Sequence, residues 1–166
     1  MDKKKLLVIA AVLVCVALTF AITGCSEDED SYTDESDVTV EYLTDEYSKQ
    51  LIADGAEVIL ASVTITQKKP DNDTVYTVHV TGKEIVVNPN YEDGYYIAET
   101  NVVEEHNVGG FAKFVYKDGD EKVFGDIAAF ADVCADSPDQ LYNVYILNDN
   151  VELMLLVEPE DAKVKH

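Results

Sequence analysis

The sequence contains no Arg and no Trp, and only three His and three Cys occur among its 166 residues. Its 12 basic residues are therefore all Lys, against 33 Asp and Glu, and the formal net charge is −21. Nucleic-acid binding depends on Lys and Arg contacts with phosphates, and Arg also makes the commonest specific base contact. The composition therefore excludes nucleic acid as an expected partner, whereas it favours solubility and is compatible with basic partners or cations.

The N-terminal residues have the pattern of an export signal. Lys3, Lys4 and Lys5 precede the apolar stretch Leu6–Ile22, in which Thr19 is the only polar residue. The stretch is followed by Thr23, Gly24 and Cys25. A charged region, an apolar region and a small-residue cleavage site together predict a secretory signal over residues 1–24.

The quartet Ile22-Thr23-Gly24-Cys25 resembles the lipobox of bacterial lipoproteins. The resemblance implies cleavage before Cys25, attachment of diacylglycerol to its sulfur, and anchoring on the extracytoplasmic side of the cell membrane. Each buried CH₂ of the acyl chains would add roughly 0.8 kcal/mol to membrane binding. The alternative is an uncleaved membrane-spanning helix, and it also places the rest of the chain outside because the lysines stay in the cytoplasm.

Residues 25–37 are predicted to be a disordered acidic tether. Seven of the twelve residues in Ser26–Asp37 are acidic and none is aliphatic. Such a segment buries too little apolar surface to offset its ordering entropy. We expect a spacer that holds the domain away from the membrane; a docking strip for a basic partner and a loose site for divalent cations are the alternatives.

Residues 38–160 are predicted to form one strand-rich α+β domain, with residues 161–166 frayed. Thr44 is a candidate cap for a helix ending near Asp54, and Asp126 for a helix ending at Ser137. Period-2 patterns and turn residues predict the strands, which are Glu57–Thr66, Thr74–Thr81, Glu84–Val87, Tyr95–Val103, Phe111–Tyr116, Glu121–Phe124, Leu141–Leu147 and Val151–Val157. This order predicts a curled antiparallel sheet or an OB-like barrel with one or two short helices.

Two short segments carry a second resemblance. Gly94-Tyr95-Tyr96-Ile97-Ala98 and Leu141–Ile146 are similar to uncharacterised domains in surface proteins of gut clostridia. The resemblance implies no activity.

No catalytic residue, metal site or cofactor is predicted for the domain. His79 is expected on an exposed strand face, and His166 is the terminal residue. On a strand Glu104 and His106 would converge, but two ligands do not make a zinc site. Cys134 lies on the apolar face of the second predicted helix, and we expect it in the core rather than as a nucleophile. Because Cys15 falls in the signal and Cys25 is the lipidation residue, no intramolecular disulfide is expected.

The acidic turns Asp71–Asp73 and Asp118–Glu121 do not match a calcium-binding EF-hand loop. Such a loop needs Gly at position six and Glu at position twelve. Counting from Asp71 gives Tyr76 and Gly82, and counting from Asp118 gives Val123 and Ala129. Asp and Asn are ordinary turn residues, so only a weak, irregular calcium site stays open.

The sequence thus predicts a non-enzymatic, membrane-anchored extracytoplasmic lipoprotein whose domain binds an envelope protein or acts as an accessory module. A glycan- or small-ligand-binding module is the alternative, with Tyr91, Tyr95 and Tyr96 as a contact patch. A hydrolase using a pair of carboxylates is the third hypothesis.

Overall fold

The computed structural model describes residues 38–69 and 74–162, and the predicted strand-rich α+β class is confirmed. The signal, Cys25, the tether, the turn Asp71–Asp73 and His166 lie outside the described residues. The strands are β1 (Glu57–Lys68), β2 (Val75–Val87), β3 (Tyr95–Asp118), β4 (Glu121–Gly125), β5 (Leu141–Leu147) and β6 (Asn150–Val157). Helix α1 comprises Val40–Tyr42, a π-helical turn Leu43–Tyr47, and Ser48–Ala53; α2 is Ile127–Asp136 and α3 is Pro159–Ala162.

Five strands pair in a closed cycle in the order β1, β2, β3, β6, β5 and back to β1, while β4 extends the sheet beside the C-terminal half of β3. All of these pairs are antiparallel except β3 with β6. The sheet is therefore mixed, which corrects the purely antiparallel alternative. Along the chain, β1 to β4 precede α2, and β5 and β6 follow it.

Strand β3 is one long strand, so the predicted break between Val103 and Phe111 was wrong. Its N-terminal part pairs with β2 as far as Asn107, and from Asn107 onward it pairs with β6. The register of the second pairing shifts between Val108 and Lys113, a segment that contains Gly109 and Gly110. The polar residues of Glu104–Asn107 do not end the strand, because each of them is paired with a residue of β2.

The apolar side chains form two clusters, one on each side of the strands. The inner cluster includes Phe114, Tyr142 and Met154 from the five strands of the closed cycle (the ring), and Phe130 and Cys134 from α2. Phe130 stacks on Phe114 at a centroid distance of 4.9 Å and meets the edge of Tyr142 at 5.1 Å. Helix α2 therefore anchors the interior, and its predicted cap is confirmed because Asp126 accepts a hydrogen bond from the Ala129 amide at 3.0 Å.

Helix α1 covers part of the outer face of the ring. Its Leu43 and Leu51 pack with Val115, Tyr145 and Leu153. The helix begins five residues before the predicted Thr44 cap, because Thr39 caps it and accepts a hydrogen bond from the Tyr42 amide at 3.1 Å. Thr44 lies within the helix, where its hydroxyl donates to the Val40 carbonyl at 2.8 Å.

Strict alternation along Val151–Val157 predicts that Val151, Leu153, Leu155 and Val157 share one apolar face of β6, and this prediction was wrong. Val151 belongs to the inner cluster, whereas Leu153 and Leu155 belong to the outer one. The register explains the change: Ile146 pairs with Val151 and Tyr145 pairs with Leu153, which leaves Glu152 as an extra residue. A bulge of this kind reverses the facing of every residue after it.

Among residues 38–69 and 74–162, no helix is long and apolar enough to cross a membrane.

Gly82 lies where β2 passes from the ring into a two-stranded extension with β3. A Cβ atom on Gly82 would lie 2.9 Å from Val102 Cβ and would overlap Thr100 Oγ1. We expect Gly82→Ala to lower the free energy of unfolding by about 1–3 kcal/mol, because β-branched neighbours yield little to added volume. Urea unfolding followed by circular dichroism measures the change.

Gly110→Ala is the matched control, since a Cβ atom there would meet no described heavy atom within 4 Å. Equal losses for the two variants would contradict the assigned packing at Gly82.

Candidate functional site

The most prominent surface feature is a two-stranded ribbon, residues 83–99. The pairing of β1 with β2 ends at Gly82, and beyond it β2 pairs with β3 alone among the described strands. The turn at the tip closes with the Asn88 amide donating to the Gly94 carbonyl at 2.8 Å. Gly94 has a φ of 73°, which favours glycine. The ribbon therefore extends beyond the strand cycle.

Apolar side chains occupy both faces of the ribbon. Ile85 is opposite Ile97 and Val87 is opposite Tyr95, so these four share one face. On the other face, Tyr96 stacks with Tyr91 at a centroid distance of 5.0 Å. The exposed fractions are high for apolar residues: 60% for Val87, 51% for Tyr91, 38% for Ile97 and 36% for Tyr96. Exposed apolar groups held close together mark interaction sites more often than isolated ones do.

A groove of about 450 Å³ lies against the first face of the ribbon. Apolar residues from three separate segments line it, namely Ile97, Pro138, Leu141 and Pro159. Asp136 and Asp139 supply carboxylates, and Asp139 lies in the loop between α2 and β5. The volume falls within the range of pockets that bind small ligands or a few side chains.

The surroundings of the ribbon are acidic. Tyr95 lies near Glu160, and its pKa is raised by burial and by that carboxylate. Lys83 is paired with Glu99 at 2.7 Å, and this hydrogen bond lowers the pKa of Glu99. Lys117 is likewise paired, with Glu158 at 2.6 Å. Among the described residues that line the groove, the charged ones are Asp136 and Asp139, and both are acidic.

The tyrosine cluster predicted from the sequence is only partly brought together. Tyr91 and Tyr96 form one stacked pair, but Tyr95 points to the opposite face because adjacent strand residues alternate. The groove was missed by sequence reasoning. Its lining comes from Ile97, the segment Asp136–Leu141 and Pro159, and no local pattern links these segments.

His106 lies between two carboxylates. Its Nε2 is 2.9 Å from Glu104 Oε2, and its Nδ1 is 3.0 Å from Asp149 Oδ1. Only 9% of its side chain is exposed, and both contacts are hydrogen bonds when both ring nitrogens carry protons. The imidazole of His106 thus connects β3 to the turn between β5 and β6, where Asn148 and Asp149 have φ values of 52° and 67°.

This arrangement does not converge on a cation, since the two carboxylates bind opposite nitrogens of one ring. Across residues 38–69 and 74–162, no group of three or more His, Cys, Asp or Glu side chains has the geometry to hold a metal ion. Asp118–Glu121 forms the β3–β4 turn around Gly119, whose φ is 62°. The turn residues therefore have a clear local structural role.

His79 lies on the outer face of the ring. Its Nε2 is 2.9 Å from the Thr66 hydroxyl, and its Nδ1 is 3.1 Å from Glu105 Oε1. The opposite facing of Val78 and Val80, both fully buried, agrees with the predicted alternation. His79 is therefore a partly exposed strand residue with hydrogen-bonding neighbours on both sides.

Cys134 is a core residue, as predicted, with 4% of its surface exposed. Burial raises the pKa of its thiol to about 12, and the Tyr142 hydroxyl lowers it only partly. Burial and the neighbouring Cys134 also raise the pKa of Tyr142. Apart from this thiol contact, the buried Tyr142 hydroxyl has no partner of ordinary hydrogen-bond geometry in the described region. A buried neutral thiol is a poor nucleophile.

Comparisons with protein-family models, with curated proteins and with solved structures find no match to this chain.

Replacing His106 tests its role as a connection between β3 and the β5–β6 turn. We expect His106→Ala to lower the free energy of unfolding by about 1–3 kcal/mol, because it removes a nearly buried ring that contacts Glu104 and Asp149 and donates a hydrogen bond. Urea unfolding at neutral pH measures the loss.

His79→Ala is the control, because His79 also contacts a hydroxyl and a carboxylate but its side chain is more exposed. A change of about 0.5 kcal/mol or less is expected there. Equal losses of unfolding free energy in the two variants would contradict the role of the buried His106 as a connection between β3 and the β5–β6 turn.

Proposed function

We propose that the protein is a membrane-anchored extracytoplasmic lipoprotein whose domain binds another envelope protein and performs no catalysis itself. The proposal for the anchor depends on the signal over residues 1–24 and on Cys25. The proposal for binding depends on one observation: the ribbon carries Val87, Tyr91, Tyr96 and Ile97 in exposed positions.

The chemistry-bearing side chains of the domain support a binding role. Both ring nitrogens of His106 are held by carboxylates, and the thiol of Cys134 is buried with a raised pKa. A general base needs a ring nitrogen within reach of a substrate, and a nucleophilic cysteine needs an accessible thiolate. These groups stabilise the fold instead, whereas the aromatic and aliphatic groups of the ribbon are open to solvent.

Aromatic residues suit the proposed role energetically. Tyr contributes a large, rigid contact area at low cost in side-chain entropy and is enriched at interfaces. The stack of Tyr91 on Tyr96 is present in the structure without a partner. Preorganisation of this kind reduces the entropy lost on binding.

The intact mass of the protein purified from its native membrane tests the anchor. We expect the mass of residues 25–166 plus diacylglycerol, with or without an N-linked acyl chain, and no such species from Cys25→Ser. The mass of the uncut chain would overturn the lipoprotein proposal in favour of a membrane-spanning N-terminal segment.

Substitution on the ribbon tests the binding role. We expect Tyr91→Ser/Tyr96→Ser to abolish the recovery of a specific crosslinked envelope protein from native membranes, because exposed Tyr rings are among the groups that most often carry binding energy. Quantitative mass spectrometry of the crosslinked products measures the loss.

Phe111→Ser is the matched control, because Phe111 is 85% exposed and lies outside the ribbon. An equal loss in this control would remove the ribbon from the proposed interface. Retention on a panel of immobilised glycans that disappears in the tyrosine variant would instead assign the patch to sugars.

A further inference from the structure

The groove beside the ribbon has a chemistry that specifies its occupant more closely than the exposed tyrosines do. Four apolar residues, Ile97, Pro138, Leu141 and Pro159, line it, and the other lining groups include the carboxylates of Asp136 and Asp139. Leu141 is 3% exposed and belongs to the body of the domain. The groove therefore combines an apolar surface with negative charge, and its walls are fixed to the core at one side.

In the described part of the chain, two lysines are paired with acids other than Asp136 and Asp139. Lys83 is 2.7 Å from Glu99 on the ribbon, and Lys117 is 2.6 Å from Glu158, which precedes α3. Both lysines are thus engaged with other acids. Glu160 adds a further carboxylate beside Tyr95.

The charge of residues 25–166 acts in the same direction. Residues 25–166 contain nine Lys and 32 Asp and Glu, a net charge of −23. A field of this sign attracts cationic groups and repels acidic ones over roughly the Debye length, about 8 Å at physiological ionic strength. Complementary charge raises both the rate and the selectivity of association.

We infer that this groove accepts a segment of a partner protein in which aliphatic side chains alternate with Lys or Arg. The aliphatic side chains pack on Ile97, Pro138 and Pro159, and the cations pair with Asp136 and Asp139. A volume of about 450 Å³ suits a few side chains of a peptide rather than a folded surface. The inference rests on the proposed protein-binding function and specifies the chemistry of the partner.

A synthetic peptide of alternating Lys and Leu, labelled with a fluorophore, is the direct probe. Fluorescence anisotropy with the full chain in neutral detergent micelles measures its affinity, with protein-free micelles as the blank. We expect saturable binding that weakens at least about tenfold between about 0.05 M and 0.5 M salt. Peptides with Glu in place of Lys, or Ser in place of Leu, should not bind.

Paired variants locate the site. Asp136→Asn/Asp139→Asn should weaken the Lys–Leu peptide at least about fivefold, because two complementary charges are removed at the contact. Asp45→Asn/Glu46→Gln removes the same charge from exposed positions on α1 outside the groove and should leave affinity within about twofold. Circular dichroism shows whether each variant is folded, and Ile97→Ser provides a second, uncharged test of the groove.

The outcomes separate this inference from the proposed function. Equal weakening by the two charge pairs would overturn the groove as the site, since overall charge would then be the cause. Failure of the Lys–Leu peptide to bind, while Tyr91→Ser/Tyr96→Ser still abolishes recovery of the envelope protein, overturns the cationic segment and leaves the proposed function standing. A photo-reactive Leu in the peptide that crosslinks to Ile97, Pro138 or Pro159 supports the inference.

Discussion

The parallel pairing of β3 with β6 is the interaction on which the rest of the structure depends, because it closes the strands into a cycle. Closure creates an inside that a flat sheet lacks, and Phe114, Tyr142 and Phe130 of α2 fill it. It also fixes the outer surface of β3, β5 and β6 that α1 covers. His106 strengthens this junction from one side, since it connects β3 to the turn that precedes β6.

The ribbon is a consequence of the same closure. Strand β2 is longer than its pairing with β1, and the remaining residues of β2 pair with β3 beyond the cycle. An isolated two-stranded hairpin is only marginally stable in water, so exposure of its apolar residues is energetically unfavourable. Ile97 of the ribbon lines one wall of the groove, and Pro138, Leu141 and Pro159 line the other.

Turns and helix caps could be predicted from the sequence, because each depends on a few neighbouring residues. Asn148 and Asp149 tolerate positive φ, so the β5–β6 hairpin was recognisable, and Asp126 was recognisable as a helix cap. The sequence did not predict which residues of β6 face inward and which face outward. A bulge at Glu152 reverses the alternation, and apolar residues bury both faces of the strand. The tyrosine pair on the ribbon followed from a cluster in the sequence, whereas the groove required Ile97 and Pro159 to meet across the fold, which no periodicity encodes.

Closing the cycle between β3 and β6 also sets the order in which the domain can assemble. The closing pairs include Asn107 with Asn150 and Val108 with Val151, so a long intervening segment must be brought round before either strand gains its neighbour. The entropy lost in forming that loop precedes the contacts that offset it, and folds dominated by such distant pairings acquire their structure slowly. The hairpins of β2 with β3 and of β5 with β6 form from nearby residues, and the pairing of β3 with β6 joins the two. Until then the same apolar side chains that later fill the ring face water, so the time before closure is when this chain is most exposed to aggregation and to proteases.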